Sequence, residues 1–565
     1  MGGYCQTDIN KISRIVRRSG VSSNQEDESN LFRHQKEIAM KNLIVICTLV
    51  IFLVSCAPAA AFPTQAPIAV EARQPTQAAA RPTSAPAVRV PIATQMVAAT
   101  RVVEKEGMHF AATATPGLEV PVQGEVNARR DHLSTFAIDV DTASYTEFRR
   151  YLQSGQLPPA DTIRVEEFVN FFRQDYASPE GTAFALFADA APALFADEPE
   201  IIVRFGVQGY RVPDAQRKPL ALTFVVDVSG SMREQNRLGL VKRSLEMLVG
   251  RLHAEDRVAI VAYSTYATVV LEPTQASNKS QILKSLAKLS PQQTTNLQAG
   301  LDLGYQLANE MYLEGANNRV ILCSDGLANV GITNADGILN SVSDYARNGI
   351  YMNTFGVGMG DFNDTLLEQL ADQGDGMYAY IDNEDEAQRL FVERLTSTME
   401  TIAKDAKIQI DFNTDVVASY RQIGYEDRAI ADSDFRNDSV DAGEIGAGHT
   451  VTALYAVRLV PGTEGRIATM QLRWQDPTSG QVHEINGNYN SWDVARNFQD
   501  ASPRYRLDVI VAETAEFLRG SPYVASHSLW DFHEYARQVA NELSNDPDAA
   551  EFYQLFEQTL NLMGE

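Results

Sequence analysis

The sequence predicts an α/β protein built on a doubly wound, mostly parallel sheet. An α+β segment flanks it on the amino-terminal side, and a β-rich, then helical region on the carboxyl-terminal side. Three observations carry this. First, apolar runs at Leu220 to Val226, Arg257 to Tyr263, Arg319 to Ser324 and Ile350 to Val357 lack polar alternation, as strands buried on both faces do. Second, helical stripes lie between them, such as Leu238, Val241, Leu245, Leu248 and Leu252 at steps of three and four. Third, strands alternating with helices imply right-handed crossovers and a parallel sheet. At 565 residues the chain is too long for one core, and about three domains are expected.

The formal charge of −25 excludes non-specific nucleic-acid binding, which rests on clustered Lys and Arg. The acidic balance is read as solubility. Of the four cysteines, Cys5, Cys47 and Cys56 precede the body of the chain and Cys323 stands alone in it. No disulfide framework is therefore available there. Cys323 lies within an apolar strand and reads as an inert, buried thiol.

Residues 1–39 are polar and irregular and read as a non-native or disordered extension. Met40-Lys41-Asn42 then opens a positive and apolar stretch through Val54, too short for a comfortable membrane span and suited to a secretory signal over 40–56. Leu53-Val54-Ser55-Cys56 resembles the bacterial lipobox. That resemblance implies translation from Met40, a lipid on Cys56 and an extracytoplasmic protein anchored to the cell membrane or outer membrane. Residues 57–130, rich in Pro, Ala, Thr, Gln and Val, cannot bury enough surface to offset ordering entropy and read as a semi-extended tether.

Residues 131–217 form a mixed segment. Ser134 to Tyr145 reads as a strand running into a helix, and Asp161 as the cap before a stripe of Ile163, Phe168 and Phe171. Asp139-x-Asp141 would suit a phosphatase nucleophile, but Ala143 lacks the hydroxyl that chemistry needs, so a packing role is expected.

The central domain spans 218–402. Ala267 to Leu271 reads as an edge strand, Ile282 to Leu289 as a helix and Met377 to Ile381 as a strand. Further helical stripes are Ile338, Val342 and Tyr345, and Ala387, Phe391 and Leu395. The first strand ends abruptly in Asp227-Val228-Ser229-Gly230-Ser231-Met232. A carboxylate and two hydroxyls are hard oxygen donors, the kind Mg²⁺ binds while keeping several waters. In doubly wound sheets ligands bind outside the carboxyl ends of strands, where the winding reverses.

This Asp-x-Ser-x-Ser stretch resembles the metal-ion-dependent adhesion site of von Willebrand factor A domains, which implies their Rossmann-like fold. That family needs two more residues, and Thr295 in Thr295-Asn296-Leu297 and Asp325 in Ser324-Asp325-Gly326 stand where its motifs place them. By resemblance, Ser229, Ser231 and Thr295 are hydroxyl ligands, and Asp227 and Asp325 act directly or through waters. The cation is Mg²⁺ (or Ca²⁺ or Mn²⁺), and a Glu or Asp of a protein partner completes its shell. Family members often carry Gly beside the metal-binding Thr. Here Gln292-Gln293-Thr294 precedes Thr295, which leaves both threonines in play. Asp361, Asp364 and Asp372 read as caps and a solvated face, and Asn383-Glu384-Asp385-Glu386 as a helix opening suited to the dipole.

In 403–565, Lys407 to Phe412, Val451 to Val460 and Met470 to Trp474 alternate wholly or in part as half-buried strands do. Asp432, Asp434, Asn437, Asp438, Asp441 and Glu444 fit no EF-hand spacing and read as a solvated acidic loop. From Tyr505 the pattern is helical, with Gly520 a stop and Asp546-Pro547 a start. Tyr420-Arg421-Gln422-Ile423-Gly424-Tyr425 and Asp441 to His449 resemble the carboxyl-terminal part of YfbK-like bacterial proteins, and that likeness runs from about Ser134 to the end. Whether the segments flanking the central domain are separate or pack together is not written in local pattern.

An enzyme is the competing class, most plausibly a metal-assisted hydrolase of the envelope. It would need a positioned base or acid. The sequence holds no His-Glu-x-x-His, no Gly-x-Ser-x-Gly and no Gly-rich Lys loop. None of the eight His lies in the metal motifs, and His449, His483, His527 and His533 read as lone core or surface residues. The expectation is a binding protein, not an enzyme.

Overall fold

The computed structural model describes residues 70–72 and 122–564, apart from 139–140, 197, 327–334, 359–363, 439 and 441. The signal, the lipobox with Cys56, most of the tether, Asp139, Asp361 and Asp441 lie outside the described residues. The amino-terminal elements are β1 (Val70–Ala72), β2 (Val126–Asn127), β3 (Leu133–Ala137), α1 (Ala143–Gln153), α2 (Val165–Phe171), β4 (Phe184–Pro192) and β5 (Ile201–Gly209). The middle of the chain gives β6 (Leu220–Asp227), α3 (Arg237–Arg251), β7 (Arg257–Tyr263), β8 (Ala267–Gln275), α4 (Lys279–Lys288) and α5 (Leu297–Glu310). It continues with β9 (Asn317–Ser324), α6 (Ala335–Arg347), β10 (Ile350–Val357), α7 (Asp364–Asp372), β11 (Tyr378–Ile381), α8 (Glu384–Gln388) and α9 (Leu395–Met399). The remainder forms β12 (Thr401–Phe412), β13 (Val417–Ile423), β14 (Ile445–Gly446), β15 (Thr450–Leu459), β16 (Arg466–Gln475), β17 (Val482–Asn490), α10 (Pro503–Leu518), α11 (His533–Glu542) and α12 (Pro547–Met563).

The continuous apolar runs become one sheet in the order β11-β10-β9-β6-β7-β8. All its pairs are parallel except β7 with the edge strand β8. Every residue of β6 is buried, because helices cover both faces. Leu222, Phe224 and Val226 meet the α3 stripe on one side, while Ala221 and Val225 meet Leu301 and Tyr305 of α5 on the other. The chain winds one way from β6 to β7 and the other way from β9 to β11, so the reversal falls between β6 and β9.

This α/β domain is inserted into a β-sandwich. β5, before it, pairs with β4 and β15 in the antiparallel sheet β2-β13-β15-β5-β4. β12, after it, pairs with β3 and β16 in a second antiparallel sheet that also holds β17. The two sheets enclose Phe136, Phe205, Ile408, Phe412, Tyr455 and Met470. Helices α1, α2, α10, α11 and α12 cover the outer face of the first sheet over Ile202, Ile423, Leu454 and Ala456. Residues 131–217 and 403–565 therefore share sheets and cores instead of standing as successive units.

Buried ion pairs bind the inserted domain to those helices. Arg149 of α1 donates to Asp382 at 2.8 and 2.6 Å, to Glu386 at 3.2 Å and to Glu551 of α12 at 3.0 Å. Arg389 lies 3.8 Å from the Phe171 ring centroid and donates to Phe171 O and to Asp548. Arg319 ties β9 to the exit of the domain through Met399 O and Thr401.

Local expectations were revised by such contacts. Asp161 caps nothing: it sits in a 3₁₀ turn, α2 starts after Arg164, and the Ser144 hydroxyl accepts the Arg164 N–H at 3.0 Å. Asn383 does cap α8, accepting the Glu386 N–H at 2.8 Å. Glu386 lies in the first turn of α8 as expected and is also buried against Arg149 and Arg389. The acidic loop is docked as well: Asp432 accepts from Thr135 at 2.6 Å, Asp438 from Arg473, and Asn437 O from Lys407 at 2.7 Å. Asp546 caps α12, accepting the Asp548 N–H, and Gly520 has a φ of 71° just past α10.

Replacing Arg149 with Met leaves Asp382 and Glu386 buried without that counter-charge. The expected loss is about 3–5 kcal/mol, read as a lower urea midpoint with the slope unchanged.

Candidate metal centre

Asp227 is the last residue of β6 and is fully buried. Its Oδ1 accepts the Ser229 N–H at 2.8 Å, which folds the chain back over the strand end. Its Oδ2 accepts from the Ser324 hydroxyl at 2.9 Å and the Tyr263 hydroxyl at 3.4 Å. Those two partners end β9 and β7, the strands on either side of β6. Sequence reasoning missed both. The usable signal was a hydroxyl closing each neighbouring strand, and it becomes meaningful only once the strand order is known.

Ser229 and Ser231 follow the strand with their hydroxyl oxygens 3.0 Å apart. Gly230 between them lies so near the Gln293 carbonyl that a Cβ would come within 3.0 Å of it. Through this close approach the loop carrying Thr295 is stitched onto the serine loop. The Gly230 N–H donates to Gln293 O at 3.2 Å, and the Gln292 N–H donates to Val228 O. Thr295 itself is buried, at 2% exposure. Thr294 is engaged elsewhere, its hydroxyl 2.5 Å from that of Thr265, so of the two candidates only Thr295 is enclosed beside the serine loop.

The seating of α5 places Thr295. Asn296 caps this helix, accepting the Ala299 N–H at 3.1 Å. Gly300 and Gly304 let it lie directly on the sheet, since a Cβ would come within 2.6 Å of the Tyr263 ring or 2.4 Å of a Val225 methyl. Asp325 follows β9 and is 2% exposed. It accepts from Arg237 Nη1 at 2.8 Å, another residue that the sequence reading passed over. Asp227 and Asp325 thus leave adjacent strands at the reversal of winding.

Burial, with a smaller contribution from the Asp325 charge, pushes the Asp227 carboxyl up to about 6. A buried anion carrying such a penalty is one that a bound cation would relieve. Among the described residues no group of three or more His, Cys, Asp or Glu is placed to hold a metal. The set here differs in kind, with two carboxylates and three hydroxyls, all oxygen, which fits a hard divalent cation that keeps part of its water. Neighbouring Cys323 is buried and its thiol is pushed up to about 12, which makes it inert as expected.

Comparison with known proteins agrees with this fold. Family models match over 119–203 ("von Willebrand factor"), 221–394 ("von Willebrand factor type A domain") and 397–562 ("Uncharacterized protein YfbK, C-terminal"). The inserted domain is therefore a von Willebrand factor type A domain. Over 454 residues the chain is 34% identical to "Uncharacterized protein YfbK" of Escherichia coli (strain K12), covering 75% of this chain and 77% of that one. The chain belongs to the YfbK family. It is also 29% identical over 285 residues to "Uncharacterized protein sll0103" of Synechocystis sp. (strain ATCC 27184 / PCC 6803 / Kazusa), covering 48% and 65%. Among solved structures, the "von Willebrand factor type A from Catenulispora acidiphila" aligns with a TM-score of 0.38 at 15% identity, over 67% of this chain and 89% of that one.

The raised Asp227 carboxyl has a stability consequence with a definite sign. An unfolded Asp titrates near 3.9, so in metal-free protein this group's favourable contribution is complete below that pH. It is lost as pH rises through about 6, at a cost of about 3 kcal/mol by neutrality. Asp227→Asn in EDTA is expected to lack this slope and to melt no lower than wild type at pH 7.5, as thermal melts across pH 4–8 would show.

Proposed function

We propose that this chain is a cell-envelope lipoprotein that binds a protein partner through a divalent cation at Asp227, Ser229, Ser231, Thr295 and Asp325. Von Willebrand factor A domains commonly mediate protein binding and often hold such a cation. The observation that carries the reading is the placement of two buried carboxylates at the winding reversal, beside paired serine hydroxyls and the loop bearing Thr295. Bound there, Mg²⁺ or a similar ion supplies an electropositive point with an open position. Two carboxylates do no more than balance its charge, so a Glu or Asp offered by a partner remains attractive to it. The Ser324 and Tyr263 hydroxyls orient Asp227 from behind, and the stitched loop holds Thr295 in place.

Binding is favoured over catalysis by what surrounds Asp227. Its hydrogen-bond partners are hydroxyls and a backbone N–H, and they engage both carboxylate oxygens, which holds Asp227 in place as a ligand-bearing residue is held. Anchorage rests on the lipobox at Cys56. Among the described residues no helix is long and apolar enough to cross a membrane.

The full chain should retain a protein from envelope extract in Mg²⁺ and release it in EDTA, and Asp227→Ala should retain none in either buffer. Equal retention in all lanes would remove the metal site from the interface. Intact-mass analysis of membrane-derived protein should show a diacylglyceryl-modified Cys56 as the first residue; an unmodified Cys56 would overturn the anchor.

A further inference from the structure

Arg237, the first residue of α3, brings a permanent positive charge to the place where the cation would sit. Its side chain is 6% exposed, and its Nη1 donates to Asp325 Oδ2 at 2.8 Å. The end of β10 presses on it: a Cβ on Gly358, whose φ is +119°, would come within 2.4 Å of Arg237 Nε. The guanidinium places a positive charge directly against one carboxylate of the site. The two carboxylates of the site therefore present one net negative charge instead of two.

A second carboxylate waits one turn away. Glu234 Oε2 lies 3.8 Å from Arg237 Nη2, and the Glu234 side chain is 69% exposed. Arg237 thus stands between a buried acid that belongs to the proposed metal site and an exposed acid that does not.

We propose that Arg237 is a built-in counter-cation that competes with the metal for Asp325 and is handed to Glu234 when the metal binds, so that the pair sets the affinity of the site. This rests on the reading of Asp227, Ser229, Ser231, Thr295 and Asp325 as a divalent-cation site. Like charges crowded on one buried carboxylate repel strongly where water is scarce. The metal must therefore either displace the guanidinium or bind more weakly beside it. In the metal-free protein the same pair removes the cost of leaving Asp325 buried and uncompensated. The fold is thereby kept intact between encounters, and occupancy depends on the free concentration of the cation.

The test is calorimetric titration of the full chain with Mn²⁺ and Mg²⁺, alongside R237Q, R237K, E234Q and D227A. R237Q is expected to bind about tenfold tighter, equivalent to 1.4 kcal/mol, and R237K to stay near wild type because it keeps the charge. E234Q, an exposed change that does not threaten folding, is expected to bind more weakly. D227A is expected to bind nothing. Metal binding by R237Q with none by wild type would equally support the proposal. Wild-type binding that is abolished by D227A but unchanged or weakened in R237Q overturns the competition and leaves the metal site standing. If R237Q does not fold, E234Q decides, and an affinity equal to or above wild type overturns the proposal. No binding by any variant overturns the metal site and this inference together.

Discussion

The inserted domain enters from one sheet of the sandwich and leaves into the other, and the rest of the structure depends on that constraint. β5 finds its partners in β4 and β15, and β12 in β3 and β16. Backbone polar groups in a buried sheet must be paired, so neither flank can complete its hydrogen bonding without the other. The segments before and after the A domain form one folding unit, and the A domain hangs from it by two crossings. This explains why the contacts across the junction are charged, buried and multiple. Arg149, Arg319 and Arg389 each reach from one body to the other and satisfy several acceptors at once.

The crossings and the oxygen-donor cluster sit at different ends of β6. The crossings attach near the start of β6 and after α9, whereas Asp227 and Asp325 lie past the carboxyl ends of β6 and β9. The junction is not confined to that starting end, since Arg149 holds Asp382 just past the carboxyl end of β11, a strand parallel to β6 and β9. The flanking unit has its own core and helical backing.

The site itself runs against stability. A fully buried Asp227, a second buried carboxylate and a set of hydroxyls are poor core material, and the raised Asp227 carboxyl expresses the strain. The surrounding structure holds them by over-determining their positions. Ser324 and Tyr263 bind one oxygen, the Ser229 N–H binds the other, and two glycines seat α5 directly on the sheet. Arg237 belongs to the same arrangement, setting a positive charge against the buried Asp325.

Most of the A domain was legible in the sequence, because strands buried on both faces write long apolar runs and amphipathic helices write periodic stripes. Arg257–Tyr263 and Ile350–Val357 match their strands residue for residue. The Asp-x-Ser-x-Ser turn was legible through its oxygen donors at a strand end, and the helix opening at Asn383 and the cap at Asp546 through residue type. What local pattern does not carry is pairing between segments far apart in the chain. The Ser144 hydroxyl, not Asp161, satisfies the start of α2; the acidic loop is held by Lys407 and Arg473; and the flanks proved to be one sandwich. Arg237, Tyr263 and Ser324 escaped notice because nothing in their neighbours' identities marks them. They matter only once β6 lies between β7 and β9 and α3 turns back over Asp325. The sequence by itself determined the elements and the donor types, through periodicity and side-chain chemistry. The tertiary structure alone decided which acids are buried together and which cation answers them, since burial and charge proximity are properties of packing.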